Sequence, residues 1–172
     1  CDDAIVIPAM SHKVDYEAEL GVIIGRRGRH IAVGEAIDYI AGYTIVNDVS
    51  ARDLQSSDSQ WIRGKSFDSF APMGPCMVGT SVLGDGDGLD IRLRLNGEMM
   101  QNSNTRNLIF KVPDLVSYIS QVMTLEPGDI ISTGTPSGVG VGRNPKVFLK
   151  PGDVVEVELE GIGTLRNTVV QE

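Results

Sequence analysis

Apolar and polar residues alternate most cleanly between Leu89 and Leu95. Leu89, Ile91, Leu93 and Leu95 are separated by Asp90, Arg92 and Arg94, and Asn96-Gly97 follows. A period of two is that of a half-buried strand, and Asn-Gly suits the type I′ turn of a two-residue hairpin. A second alternating run follows Pro151-Gly152-Asp153, with Val155, Val157 and Leu159 set between Glu156, Glu158 and Glu160. Gly161-Ile162-Gly163 then turns the chain back through Thr164 to Val170, and the three glutamates read as a solvated face without chemistry. Pro127-Gly128-Asp129 likewise punctuates the start of an apolar strand. Ile5 to Pro8 reads as a short strand entry, Glu17 to Ile24 as a strand ending at Gly25, and Tyr43 to Val49 as extended chain. Residues 34–42 predict a two-turn helix stopped by Gly42 at the C′ position. Pro113 to Met123 predicts the best helix, with Leu115, Val116, Ile119, Val122 and Met123 on one core-facing stripe. Arg52 to Ser66, polar and Ser-rich around Trp61, reads as a mobile loop. Many strands and only two or three short helices predict an α+β fold, predominantly β: a mixed-sheet roll rather than a doubly wound sheet.

Length and composition narrow the function. The 172 residues make one domain able to bury a proper core, and no repeat or low-complexity tract interrupts them. A net charge of −8 argues against a general binder of nucleic acid or anionic membrane. The longest apolar stretches, such as Leu20 to Ile24, are far too short to span a bilayer. Two cysteines, Cys1 and Cys76, form no metal or redox motif, so a reduced cytoplasmic protein is expected. No signal peptide is visible, and a chain opening on Cys1 rather than Met suggests a native start further upstream.

The acidic residues near the start change this bland picture. Glu17 and Glu19 lie two apart on a strand and therefore project from the same side, and Asp48 lies on the next extended segment, Tyr43 to Val49. Carboxylates crowded in a partly buried place repel and lose hydration, which a bound cation or raised pKa values would relieve. Three hard oxygen ligands without His or Cys favour Mg²⁺, Mn²⁺ or Ca²⁺ over zinc or copper. An isolated Glu-x-Glu is most often a solvated strand face; the following motifs weigh against that.

Asn47-Asp48-Val49-Ser50-Ala51-Arg52-Asp53-Leu54-Gln55 is followed by Arg63-Gly64-Lys65-Ser66-Phe67-Asp68. Together with Tyr16-Glu17-Ala18-Glu19-Leu20 and Thr133-Gly134-Thr135-Pro136-Ser137-Gly138-Val139-Gly140, these segments closely resemble the fumarylacetoacetate hydrolase family. The resemblance runs from about Ile5 to Thr168 and implies a mixed-sheet β-roll. It implies that Glu17, Glu19 and Asp48 hold Mg²⁺ or Mn²⁺, that Arg52, Gln55 and Thr135 contact substrate, and that Lys65 is the active-site lysine. It also implies a small-molecule 2-oxo or β-diketo acid as substrate, a metal-stabilised enolate, and a homodimer.

The motifs leave the reaction open among acylpyruvate hydrolysis, oxaloacetate-type decarboxylation and 2-hydroxyhepta-2,4-diene-1,7-dioate-type isomerisation; a non-catalytic metal or oxo-acid binder is the other reading. Because the protein is acidic, anionic substrates need local positive charge. Arg52 and Lys65 supply it, while Arg63 matches no functional position and reads as surface charge. The loop Gly138 to Gly142 lacks the Gly-x-Gly-x-x-Gly spacing, and Pro145 follows in place of a helix. It reads instead as a flexible loop offering backbone N–H groups to a substrate oxyanion. Hydrolytic family members carry an upstream Asn-Tyr-x-x-His-x-x-Glu lid, which has no counterpart here. The lid either precedes residue 1 or its chemistry is done differently, and His12, in a Ser-His-Lys surface turn, is a weak candidate base.

Overall fold

The computed structural model describes residues 3–57 and 60–172. In chain order its strands are β1 (Ile5–Ile7), β2 (Val14–Asp15), β3 (Ala18–Ile24), β4 (Ile40–Asn47), β5 (Ser50–Ala51), β6 (Met73–Gly79), β7 (Asp90–Leu95) and β8 (Glu98–Asn104). The remaining strands are β9 (Ile130–Ser132), β10 (Val154–Leu159) and β11 (Gly163–Gln171). The α-helices are α1 (Arg52–Ser57), α2 (Thr80–Leu83) and α3 (Val112–Val122). One sheet runs β1-β11-β10-β7-β8, a second runs β6-β4-β3-β9, and β2 pairs with β5 alone. The β1–β11 pair is parallel and the other pairs are antiparallel, which makes the architecture a mixed-sheet, mostly β fold with few short helices. No helix among the described residues is long and apolar enough to cross a membrane.

Both larger sheets turn apolar faces inward. Ile91, Leu93 and Leu95 of β7 meet Val155, Val157 and Leu159 of β10 and Leu20, Val22 and Ile24 of β3 in one buried cluster. The outward positions of β7 and β10 pair charges across the strands: Glu158 of β10 meets Arg94 at 3.0 Å and Arg92 at 3.6 Å. This is the solvated face that alternation predicts. At the β7–β8 turn Asn96 and Gly97 both take positive φ, 53° and 83°, as a type I′ turn requires.

Three local expectations need correction. Residues 33–39 form a 3₁₀ turn rather than an α-helix, and Gly42 is no cap but lies inside β4. Its smallness serves packing, because a Cβ there would run into the Val78 carbonyl of β6. The segment expected to be a mobile loop contains α1 and a 3₁₀ turn at Trp61–Gly64; only Asp58 and Ser59 within it lie outside the described residues. On α3 the inward face is Val112, Val116 and Ser120, with Ile119 packed beside it, whereas Val122 and Met123 are exposed. The predicted stripe is therefore core at its centre and surface at its end.

Candidate metal centre

The register of β3 against β4 assembles the acidic group. Ala18 lies opposite Asn47 and Glu19 opposite Val46. Continued one step beyond the ladder, Glu17 lies opposite Asp48, and Asp48 N donates to Glu17 O at 2.9 Å. Opposed residues share a face, so Glu17, Glu19 and Asp48 all point to one side of the pair. Each can offer a carboxylate oxygen within 4.8 Å of the others. Gly21, next on that face, leaves room for Val46, whose Cγ2 would stand 2.7 Å from a Cβ at that position.

The surroundings of each acid differ. Glu19 is 3 % exposed, and its Oε2 accepts from Ser132 Oγ at 2.6 Å and from Gly134 N at 2.7 Å. Burial nevertheless dominates and pushes its pKa up to about 7, with Asp48 and Glu17 adding repulsion. Glu17 accepts from Arg52 Nη2 at 2.6 Å through Oε1 and from Lys65 Nζ at 2.9 Å through Oε2. Asp48 also binds Lys65 through Oδ2, yet burial still raises its pKa above the ordinary aspartate value. For Lys65, burial works to lower the pKa, but the bonds and charges of Asp48 and Glu17 outweigh it and keep the ammonium protonated.

The donor set fits a hard divalent ion. It consists of carboxylate oxygens only. With Asp15 included, four acids face two cations, Arg52 and Lys65. The two negative charges left over when all four acids ionise are those a divalent ion would cancel. The Lys65 ammonium bridges two of the three acids, Glu17 and Asp48.

Six residues singled out in the sequence thus meet in one hydrogen-bonded cluster: Glu17, Glu19, Asp48, Arg52, Gln55 and Lys65, with Gln55 Oε1 accepting from Arg52 Nη1 at 3.1 Å and Glu19 joined by its position on the shared face. Next to Gly134, whose N–H binds Glu19, Thr135 donates its hydroxyl to Ala18 O at 3.0 Å and accepts from Gln101 Nε2 at 2.8 Å. It borders a cavity of about 500 Å³ walled by Thr133 to Ser137, Leu20, Leu108, Phe110 and Leu115. His12 is exposed, in a turn where its backbone N–H donates to Asp53 at 2.9 Å.

The glycine loop departs from expectation. Gly140 N and Val141 N donate to the Asp15 carboxylate at 2.7 and 3.0 Å, so an internal acid occupies the place imagined for a substrate oxyanion. Gly138 O accepts from Tyr16 Oη at 3.2 Å and from Arg143 Nε at 3.1 Å, and Gly140–Gly142 forms a 3₁₀ turn. A loop tied at so many points is pinned rather than flexible. Sequence reasoning overlooked Asp15, Ser132 and Gln101. Asp15 had a usable signal, since it extends the Glu17, Glu19 spacing by one more step of two.

Comparison with known proteins gives the same direction. The family model described as fumarylacetoacetate (FAA) hydrolase C-terminal matches residues 1–170. The oxaloacetate tautomerase Fahd2a, mitochondrial, of Rattus norvegicus is 48% identical over 169 residues, covering 98% of this chain and 54% of the relative. A fumarylacetoacetate hydrolase structure from Exiguobacterium antarcticum has a TM-score of 0.96 at 43% identity, covering 99% of this chain and 62% of its own. The 2-hydroxyhepta-2,4-diene-1,7-dioate isomerase structure from Mycobacterium marinum has a TM-score of 0.92 at 44% identity, covering 99% of this chain and 64% of its own. The chain thus spans between about half and two thirds of these relatives. With sequence, fold and acidic group in agreement over nearly its whole length, the chain belongs to the fumarylacetoacetate hydrolase family, in that family's C-terminal region.

Proposed function

We propose that this chain is the metal-binding, catalytic portion of an enzyme acting on small 2-oxo acids, with keto–enol interconversion of oxaloacetate as the leading reaction. The observation that carries this reading is the convergence of Glu17, Glu19 and Asp48 within 4.8 Å. The naming of a 48% identical relative as an oxaloacetate tautomerase supports the choice of reaction. Glu17, Glu19 and Asp48 would hold the ion, Mg²⁺ or Mn²⁺, with Ca²⁺ compatible with the same oxygens. Once bound, such an ion supplies Lewis acidity that polarises the 2-oxo group and stabilises enolate charge. Lys65 is the proposed catalytic cation: its ammonium, beside the ion-binding oxygens, can donate to an oxygen on which charge develops. Gln55 presents its amide from the edge of the cluster, and Arg52 brings positive charge to an acidic protein.

Tautomerisation and decarboxylation fit this chain better than hydrolysis. Decarboxylation releases CO₂ without an activated water, and tautomerisation only moves a proton between the carbon next to the 2-oxo group and its oxygen, with solvent as carrier, whereas a hydrolase must also hold a base against a water. His12 lies in an exposed turn and His30 bonds Gln121 through Nδ1 at 3.1 Å, so neither histidine reaches the acids through a hydrogen bond in this structure. Dienoate isomerisation is the second reading, favoured by the 44% identity to the Mycobacterium marinum isomerase and by its dependence on the same enolate site. A homodimer belongs to the proposal, supported by the exposed side chains of Ile109, Phe110 and Tyr118. A reducing, cytoplasmic setting is supported by the exposed free thiol of Cys76.

The test follows oxaloacetate enol and keto forms by ultraviolet absorbance in Mg²⁺ and in chelator. Turnover should require the ion, and Lys65→Met should lower kcat by about 10²–10³-fold. Metal-independent turnover, or an unimpaired Lys65→Met variant, would refute the assignment.

A further inference from the structure

Asp15 is a buried acid that neither the ion nor the proposed chemistry uses directly. Its side chain has no exposed surface. Oδ1 accepts from Tyr16 N at 2.9 Å and Gly140 N at 2.7 Å; Oδ2 accepts from Arg52 Nε at 2.9 Å and Val141 N at 3.0 Å. A carboxylate so enclosed needs a compensating cation, and Arg52 is the one it touches.

Arg52 faces two ways. While Nε holds Asp15, Nη2 holds Glu17 Oε1 at 2.6 Å and Nη1 holds Gln55 Oε1 at 3.1 Å. All three nitrogens therefore address protein acceptors, and only 11% of the side chain is exposed. The planar guanidinium fixes the angle between these contacts, which a lysine cannot reproduce. Swinging Arg52 out to a substrate carboxylate would strip a fully buried acid of its cation.

We propose that Asp15 and Arg52 form a positioning pair that orients Glu17 toward the ion, so that Arg52 serves a metal ligand in addition to the substrate contact that the family resemblance implies. The inference rests on the metal reading above. It also explains the glycine loop. Asp15 ties Gly140 and Val141 to the same guanidinium that orients Glu17, and a Cβ at Gly140 would stand 1.7 Å from the Val147 carbonyl oxygen and 2.7 Å from Asp15 Oδ1, so only glycine lets the loop lie against both. Loop position and ligand orientation are thereby one mechanical unit.

The experiment titrates Mn²⁺ into the whole chain by calorimetry and electron paramagnetic resonance, for the parent, Asp15→Asn and Arg52→Lys. Partners that orient a metal ligand typically contribute about 10–100-fold in affinity. Both variants should bind Mn²⁺ at least about tenfold more weakly and with an altered spectrum of the bound ion, a change that lost stability alone does not produce. Arg52→Lys keeps the charge and carries the test if Asp15→Asn fails to fold. Oxalate, a 2-oxo acid mimic, is then titrated into the Mn²⁺-saturated proteins. Parent-like Mn²⁺ affinity in Arg52→Lys, with the loss falling on oxalate, would overturn the proposal and leave Arg52 with the substrate contact alone. A parent that takes up no Mn²⁺ would overturn the metal reading itself, and this inference with it.

Discussion

Glu19 occupies the most enclosed position of the three acids and is held by two donors on a single oxygen. Its pKa of about 7, up from 4.5, has a direct consequence for stability without metal. An unfolded Glu19 ionises near 4.5 and the folded one near 7, so the native state binds more protons between those values. Stability contributed at this position therefore falls as pH rises from 4.5 to 7 and stays low above. At about 1.4 kcal/mol per pH unit the full penalty is about 3 kcal/mol, an upper figure given the neighbouring charges. In chelator, Glu19→Gln should melt higher than the parent at pH 8, and the difference should vanish at pH 5. Saturating Mg²⁺ should reverse the order at pH 8, because only the carboxylate binds the ion. Parallel melting curves for the two proteins across this pH range would contradict the burial that the structure assigns to Glu19.

The elements show where sequence periodicity is informative and where it fails. The hairpin at Asn96-Gly97, the strands after Pro127-Gly128 and Pro151-Gly152, and the centre of α3 were legible because their causes are local: turn chemistry and alternation. Gly42 misled because its cause is distant, the close approach of β6 to β4 across the sheet. Gly42→Ala should cost about 1–3 kcal/mol by forcing those strands apart. Gly34→Ala, where a new Cβ meets nothing within 4 Å, should leave the melting temperature nearly unchanged. Equal melting temperatures for both variants would count against the observed β4–β6 packing. The glycine loop misled for a similar reason. Nothing within 138–142 signals that its N–H groups face Asp15, more than a hundred residues earlier. At the site, the acids and Lys65 were legible as motifs. The commitments of Arg52 and Thr135 to protein partners depend on tertiary geometry and were not.

At the scale of the whole molecule, two sheets share one apolar core, and the acids gather where β3 and β4 reach the end of their ladder. The rigid antiparallel pair fixes the spacing of the carboxylates, while Arg52 and Lys65 offset part of the negative charge of the cluster and of Asp15. We propose that this cluster holds one divalent ion. Calorimetric titration of Mn²⁺ into the parent and into Glu19→Ala, both checked for intact folding by circular dichroism, tests that claim most directly. One ion should bind per parent chain, with no measurable uptake by the folded variant; equal uptake by both would refute the proposed site.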